Sequence, residues 1–179
     1  MRGFESKKKL ANSLIKLVKT KPIDKVSIEE IVKNCGMSRQ VFYKYFVDKY
    51  DLVHWIYDQD SLPGDDLYNS SKDYTDYSRH TLKVFIENEN FYKNALSDIQ
   101  SQNAFFKHWF KNGKARMMFN IGKSNINDEV DIAMDVYIYG TLFVVLNWLF
   151  SDQKKNQEVL ARLLIKSMPS ILKKYLLVK

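Results

Sequence analysis

Apolar positions in this 179-residue chain recur mostly at helical spacing. Leu10, Leu14, Leu17 and Val18 fall at i, i+4, i+7 and i+8, which predicts an amphipathic helix over 7–19. Lys21-Pro22 ends it, because a residue before proline is pushed out of the α region. Ile28, Ile31, Val32 and Cys35 predict a second, short helix. Ser27 with Glu30 has the Ser-x-x-Glu spacing of a capping box at its start, and Gly36 suits a left-handed cap at its end. Ser38 then opens a third helix over 39–46. Phe42 and Phe46, one turn apart, face inward with Val41, which leaves Arg39, Gln40, Tyr43 and Lys44 outward. Asp48, with Asp51 three residues on, starts a long helix through Leu52, Val53 and Ile56.

Farther along, SLPGDDLYNSSK (61–72) is rich in turn formers and is expected to be a loop that ends the fourth helix. Helices are expected over 74–87, from about Phe91, and over 103–119, where Gly113 weakens the pattern. Residues 128–150 form the most hydrophobic segment. Its uncharged part, 136–151, is short of the ~20 residues a bilayer span needs, so it reads as a helix buried on several sides and no membrane partner is expected. Leu160, Leu163, Leu164, Met168, Ile171, Leu172 and Tyr175 make a last stripe that Pro169 must kink or split. The fold class is all-α. A helix-turn-helix domain is expected over 1–52 and a helical dimerisation domain over 53–179. The two long apolar helices at the end invite a second copy, packed about a two-fold axis as a four-helix bundle.

Charge sharpens this division. Residues 1–57 hold 12 Lys/Arg against 6 Asp/Glu, a balance of +6, whereas 58–179 hold 16 against 15, a balance of +1. A local basic surface is the electrostatic footprint of a phosphate-binding module. The start, RGFESKKKL, is basic and polar with no apolar run of a signal peptide, and the single Cys35 offers no intramolecular disulfide. Both point to the cytoplasm. His54, His80 and His108 have no ligand at metal spacing, and no phosphate loop or nucleophile elbow occurs. No catalytic residue, metal or cofactor is therefore expected, and the chain does not read as an enzyme.

Two short helices around a glycine turn form a helix-turn-helix, whose second helix enters the major groove of double-stranded DNA. Arg39 can bond guanine bidentately and Gln40 adenine, while Tyr43, Lys44 and the helix N-termini opened by Ser27 and Ser38 can hold phosphates. With Gly36, Ser38, Tyr43, Tyr45, Phe46 and Lys49 in this order, CGMSRQVFYKYFVDKYDL resembles the DNA-binding domain of TetR-family transcription regulators. That resemblance implies phosphate contacts at Lys49 and Tyr43 and base-edge contacts at Arg39, Gln40 and Lys44. Tyr45 stands where the family often has His. It further implies an all-helical homodimer, joined through its last two long helices and controlled by a small molecule or partner protein. DKYDLVHWIY (48–57), FYKNAL (91–96) and NWLF (147–150) more loosely resemble a branch of the family that includes activation of dihydroxyacetone kinase operons.

Tyr92, Phe105, Phe106, Trp109, Phe110, Tyr139 and Phe143 could line an apolar effector pocket. The functional expectation is a regulator that binds a pseudo-palindromic operator as a homodimer. The alternative from another class is a helical interaction or adaptor module whose basic N-terminal face meets an acidic protein.

Overall fold

The computed structural model describes residues 2–71, 74–152 and 156–177, and among them it holds ten α-helices and no β-strand. Contacts between residues group the chain into two units, 1–60 with 88–105, and 61–87 with 106–179. The expected boundary at 52/53 falls inside a continuous helix, and the first unit takes in a later segment as well.

In the first unit, α1 (Arg2–Val18) starts five residues earlier than its apolar stripe suggests. Leu10, Ala11, Leu14 and Val18 are buried. A 3-10 turn (Ile23–Lys25) leads to α2 (Ile28–Asn34). The capping box at its start is complete: the Ser27 hydroxyl accepts the Glu30 amide, and the Glu30 carboxylate accepts the Ser27 amide at 2.9 Å. Gly36 ends it at φ +67°, with the Met37 amide donating to the Val32 carbonyl and the Gly36 amide to that of Lys33, a Schellman closure. Ser13 ties α1 to α2 by donating to the Ile31 carbonyl at 2.6 Å and accepting from Asn34 at 3.0 Å. Next come α3 (Arg39–Tyr45) and the start of α4 (Lys49–Ser71), which Asp48 caps at the Asp51 amide. The unit is completed by α6 (Glu89–Ala95) and the first turns of α7 (Ile99–Ile121). Asn94 donates to the Val18 carbonyl at the end of α1, and the fully buried Tyr92 donates to Asp60 on α4 at 2.8 Å.

The second unit holds the later parts of α4 and α7, with α5 (Tyr74–Glu87), α8 (Asp128–Phe150), α9 (Gln157–Ser167) and α10 (Ser170–Leu176). Pro169 splits the last two, as its place in the stripe requires. By length and composition α8 could cross a membrane. Here it is a core helix, with Val130, Met134, Tyr137, Ile138, Leu142, Val145 and Leu149 buried. Gly113 is buried on α7, where an added Cβ would meet Ile138 on α8 at 3.5 Å, an ordinary van der Waals contact.

One expectation is overturned. Residues 61–71 are not a loop, because α4 runs through Ser71; residue 72 lies outside the described residues. Pro63 removes one backbone donor from this helix, yet tertiary contacts hold it. Gly64 packs against His80, whose Cδ2 an added Cβ would approach to 2.7 Å. Asp65 accepts Nη2 of Arg116 on α7 at 3.0 Å and pairs with its Nε charge at 2.6 Å, and Arg116 also donates to the Tyr77 hydroxyl at 2.7 Å. Turn-forming residue types thus mark a stretch where backbone and rings come close, inside a helix.

Candidate nucleic-acid interface

Seven residues, Arg39 to Tyr45, make up α3, too few to be stable alone, so its geometry is borrowed from caps and anchors. The Ser38 hydroxyl accepts the Val41 amide at 3.3 Å. Phe42 is fully buried and Phe46 nearly so, with ring centroids 5.8 Å apart; Phe46 also meets Trp55 on α4 edge-on at 6.2 Å. These two rings fix the rotation of the helix. Val41, expected beside them, is only half-buried. Arg39, Gln40, Tyr43 and Lys44 consequently lie on the exposed face. Arg39 lies 6.0 Å from the Tyr43 ring centroid and Lys44 5.6 Å from that of Tyr45. No acidic side chain lies in the first turn of α3, so nothing on the helix itself repels a polyanion there.

The remaining expected DNA residues differ in their surroundings. Tyr45 is half-buried and lies beside Gly3 at the start of α1. Ser27 is exposed, but its hydroxyl and amide are both committed to Glu30. Hydrogen bonds from Lys21 and Ser27 hold the Glu30 carboxyl at about 2, well below the usual range. Lys49 does not point its ammonium into solvent. Its Nζ donates to the carbonyls of Ile23 at 2.7 Å, Val26 at 2.9 Å and Asp24 at 3.3 Å, and burial lowers its pKa. Phe4, Lys7 and Gly3, outside the expected set, also cluster here. Phe4 is half-exposed with its ring 5.8 Å from Trp55, and Lys7 sits over Phe46 at 5.7 Å. The early start of α1 brings in Gly3 and Phe4, and no apolar spacing marks that turn.

The seven aromatics expected to line an effector pocket are not brought together. Tyr92 and Phe105 are fully buried in the first unit, where Phe105 meets Tyr57 edge-on at 5.1 Å. Tyr139 and Phe143 are on the exposed side of α8, with Phe110 stacked on Tyr139 at 4.5 Å. Phe106 is half-buried. Of the seven, only Trp109 lines the small cavity between α5, α7, α8 and α9 of the second unit. That cavity measures about 30 Å3, room for about one water. Hydroxyls line it at Tyr74, Tyr77, Ser78, Thr81, Tyr137 and Thr141. Burial pushes the Tyr137 hydroxyl up to about 12. The hydroxyl spacing 74, 77/78, 81 on one face of α5 marks this cavity in the sequence, and the seven expected aromatics do not.

Comparison with known proteins agrees with this architecture. Residues 10–56 match the model for bacterial regulatory proteins of the tetR family, and residues 72–170 match that for a transcriptional regulator C-terminal region. The HTH-type dhaKLM operon transcriptional activator DhaS of Lactococcus lactis subsp. lactis (strain IL1403) is 24% identical over 123 residues. That alignment covers 67% of this chain and 64% of the relative, just under two thirds of its length. Among solved structures, a dihydroxyacetone kinase operon activator DhaS superposes with a TM-score of 0.64 at 16% identity, covering 95% of this chain and 97% of that one. A proposed TetR-family transcriptional regulator from Syntrophomonas wolfei str. Goettingen gives 0.64 at 19% identity over 98% of both chains. A TetR transcriptional regulator from Streptococcus agalactiae 2603V gives 0.60 at 19% identity over 93% and 95%. With its basic helix-turn-helix unit followed by a helical C-terminal region that a regulator model matches over more than half the chain, the protein belongs to the TetR family of transcriptional regulators.

Proposed function

We propose that the chain is a cytoplasmic regulator that reads a pseudo-palindromic operator as a homodimer, with α3 in the major groove. The observation that carries this reading is the exposed face Arg39, Gln40, Tyr43 and Lys44 on a helix whose rotation is fixed by Phe42 and Phe46. Arg39 and Gln40 are matched in donor geometry to guanine and adenine edges. Lys44, Tyr43 and the α3 N-terminus opened by Ser38 supply the phosphate side.

The dimer reading rests on α8. Ile132, Val136, Tyr139 and Phe143 are 63%, 65%, 55% and 63% exposed, at spacings of four, three and four residues. This is the seam of a helix that packs against another. Val159 and Leu163 on α9 extend the apolar surface. For one dimer to read both half-sites, these must lie about 34–36 Å apart, or a multiple of that. An effector, a small molecule or a partner protein, acts on the second unit by favouring one spacing of the reading helices over another. To enter the 30 Å3 cavity a small organic effector would have to enlarge it, since such ligands occupy roughly 300–1,000 Å3.

The test is fluorescence anisotropy with intergenic DNA flanking the gene. Salt-dependent binding that collapses in Arg39→Ala/Tyr43→Ala supports the reading. Binding of an acidic protein that DNA does not compete with would replace it by the adaptor alternative.

A further inference from the structure

We propose that Lys49 is a positioning residue, a three-way clamp that holds the 3-10 turn and the start of α2 against α4, and that it does not neutralise a DNA phosphate. This rests on the DNA-binding reading above. An ammonium has three protons to donate. Those of Lys49 have three acceptors inside the unit: the carbonyls of Ile23, Asp24 and Val26. Ile23 and Val26 are themselves buried, so their carbonyls have little access to water. Beyond the carbonyls, Lys49 sits 5.6 Å from the Tyr50 ring centroid and feels the charges of Asp24, Asp98, Asp48 and Glu30. Its surroundings are thus carbonyl dipoles and carboxylates, which suit a cation already satisfied.

The clamped segment has a consequence for reading DNA. Val26 immediately precedes Ser27, the N-cap of α2, and α2 carries the turn at Gly36 that launches α3. Lys49 begins α4, whose Trp55 backs Phe46 at the end of α3. Holding both ends of the helix-turn-helix in one place fixes the angle at which α3 is offered. Lys44 makes the contrast: it lies exposed on α3 itself and is placed to meet a phosphate.

The two roles separate in salt titrations. Each phosphate neutralised contributes about −0.9 to the slope of log K against log salt. Lys44→Ala is expected to lose about 0.9 of slope. Lys49→Met is expected to keep the wild-type slope, to bind about tenfold more weakly at every salt concentration, and to melt at a lower temperature without DNA. Lys49→Gln, which keeps two donors, is expected to recover part of both losses and serves if Lys49→Met does not fold. In the wild-type protein, reductive methylation with and without operator provides a check free of any substitution: the Lys49 rate stays the same on adding DNA while the Lys44 rate falls. A slope lowered by about 0.9 with unchanged melting in either Lys49 variant, or Lys49 protected by DNA as strongly as Lys44, overturns the proposal. A wild-type protein with no salt-dependent binding overturns the DNA reading itself, and Lys49→Met would still melt early.

Discussion

Single residues in the helix-turn-helix have separable jobs, and each job implies a measurement. Phe42 anchors α3 from a fully buried site, so Phe42→Ala should lower unfolding free energy by about 3–5 kcal/mol in denaturant titration. A loss under about 1 kcal/mol would mean that the ring is not an anchor. Glu30 gives a pH signature. Its folded value, about 2, lies below the ordinary 4.5, so ionised Glu30 favours the folded state. That stability is fully present above pH 4.5 and drains away as pH falls from 4.5 towards 2. Glu30→Gln should flatten this part of the stability curve while lowering stability at neutral pH, and an unchanged acid limb would remove Glu30 from the account. These residues were legible in the sequence because their signals are local: a cap three residues from its partner, and two rings one turn apart. Lys49 was not. Its three carbonyl partners lie 23 to 26 residues away, and no spacing rule within a helix reports on them.

Among the elements, the short capped helices lie where their caps indicate, whereas glycine carries two opposite meanings. Gly36 behaves as its position suggests, a left-handed residue closing α2 with open space around it. Gly36→Ala should therefore cost about 1–2 kcal/mol from conformation alone, with no steric clash to relieve. Gly64 is the opposite case. The same residue type, next to Pro63, suggested a loop, yet it lies within α4 because the His80 ring takes the space of a side chain. Gly64→Val should disrupt the packing of α4 on α5, seen as lost amide-exchange protection in both helices; retained protection would contradict this contact. Local propensity cannot register a neighbour supplied from 16 residues away. The aromatic count failed for a related reason. Rings report that a position is buried or will be covered: Tyr92 and Phe105 lie in the core of the first unit, Tyr139 and Phe143 on the surface of α8, and they do not meet at one cavity.

At the scale of the whole molecule, the exposed stripe on α8 and the reading face on α3 serve one device if two copies join. Val136→Glu with Phe143→Glu places charges on that stripe and should convert the protein to a monomer in sedimentation velocity; a persistent dimer would move the interface elsewhere. The central claim is that the outward face of α3 reads DNA, and the most direct measurement is anisotropy of labelled operator against salt for wild type and Arg39→Ala/Tyr43→Ala. The account predicts that wild-type affinity falls steeply as salt rises, and that the double variant, folded and still dimeric, loses specific binding. Equal affinity of the two proteins, or wild-type binding indifferent to salt, would contradict it.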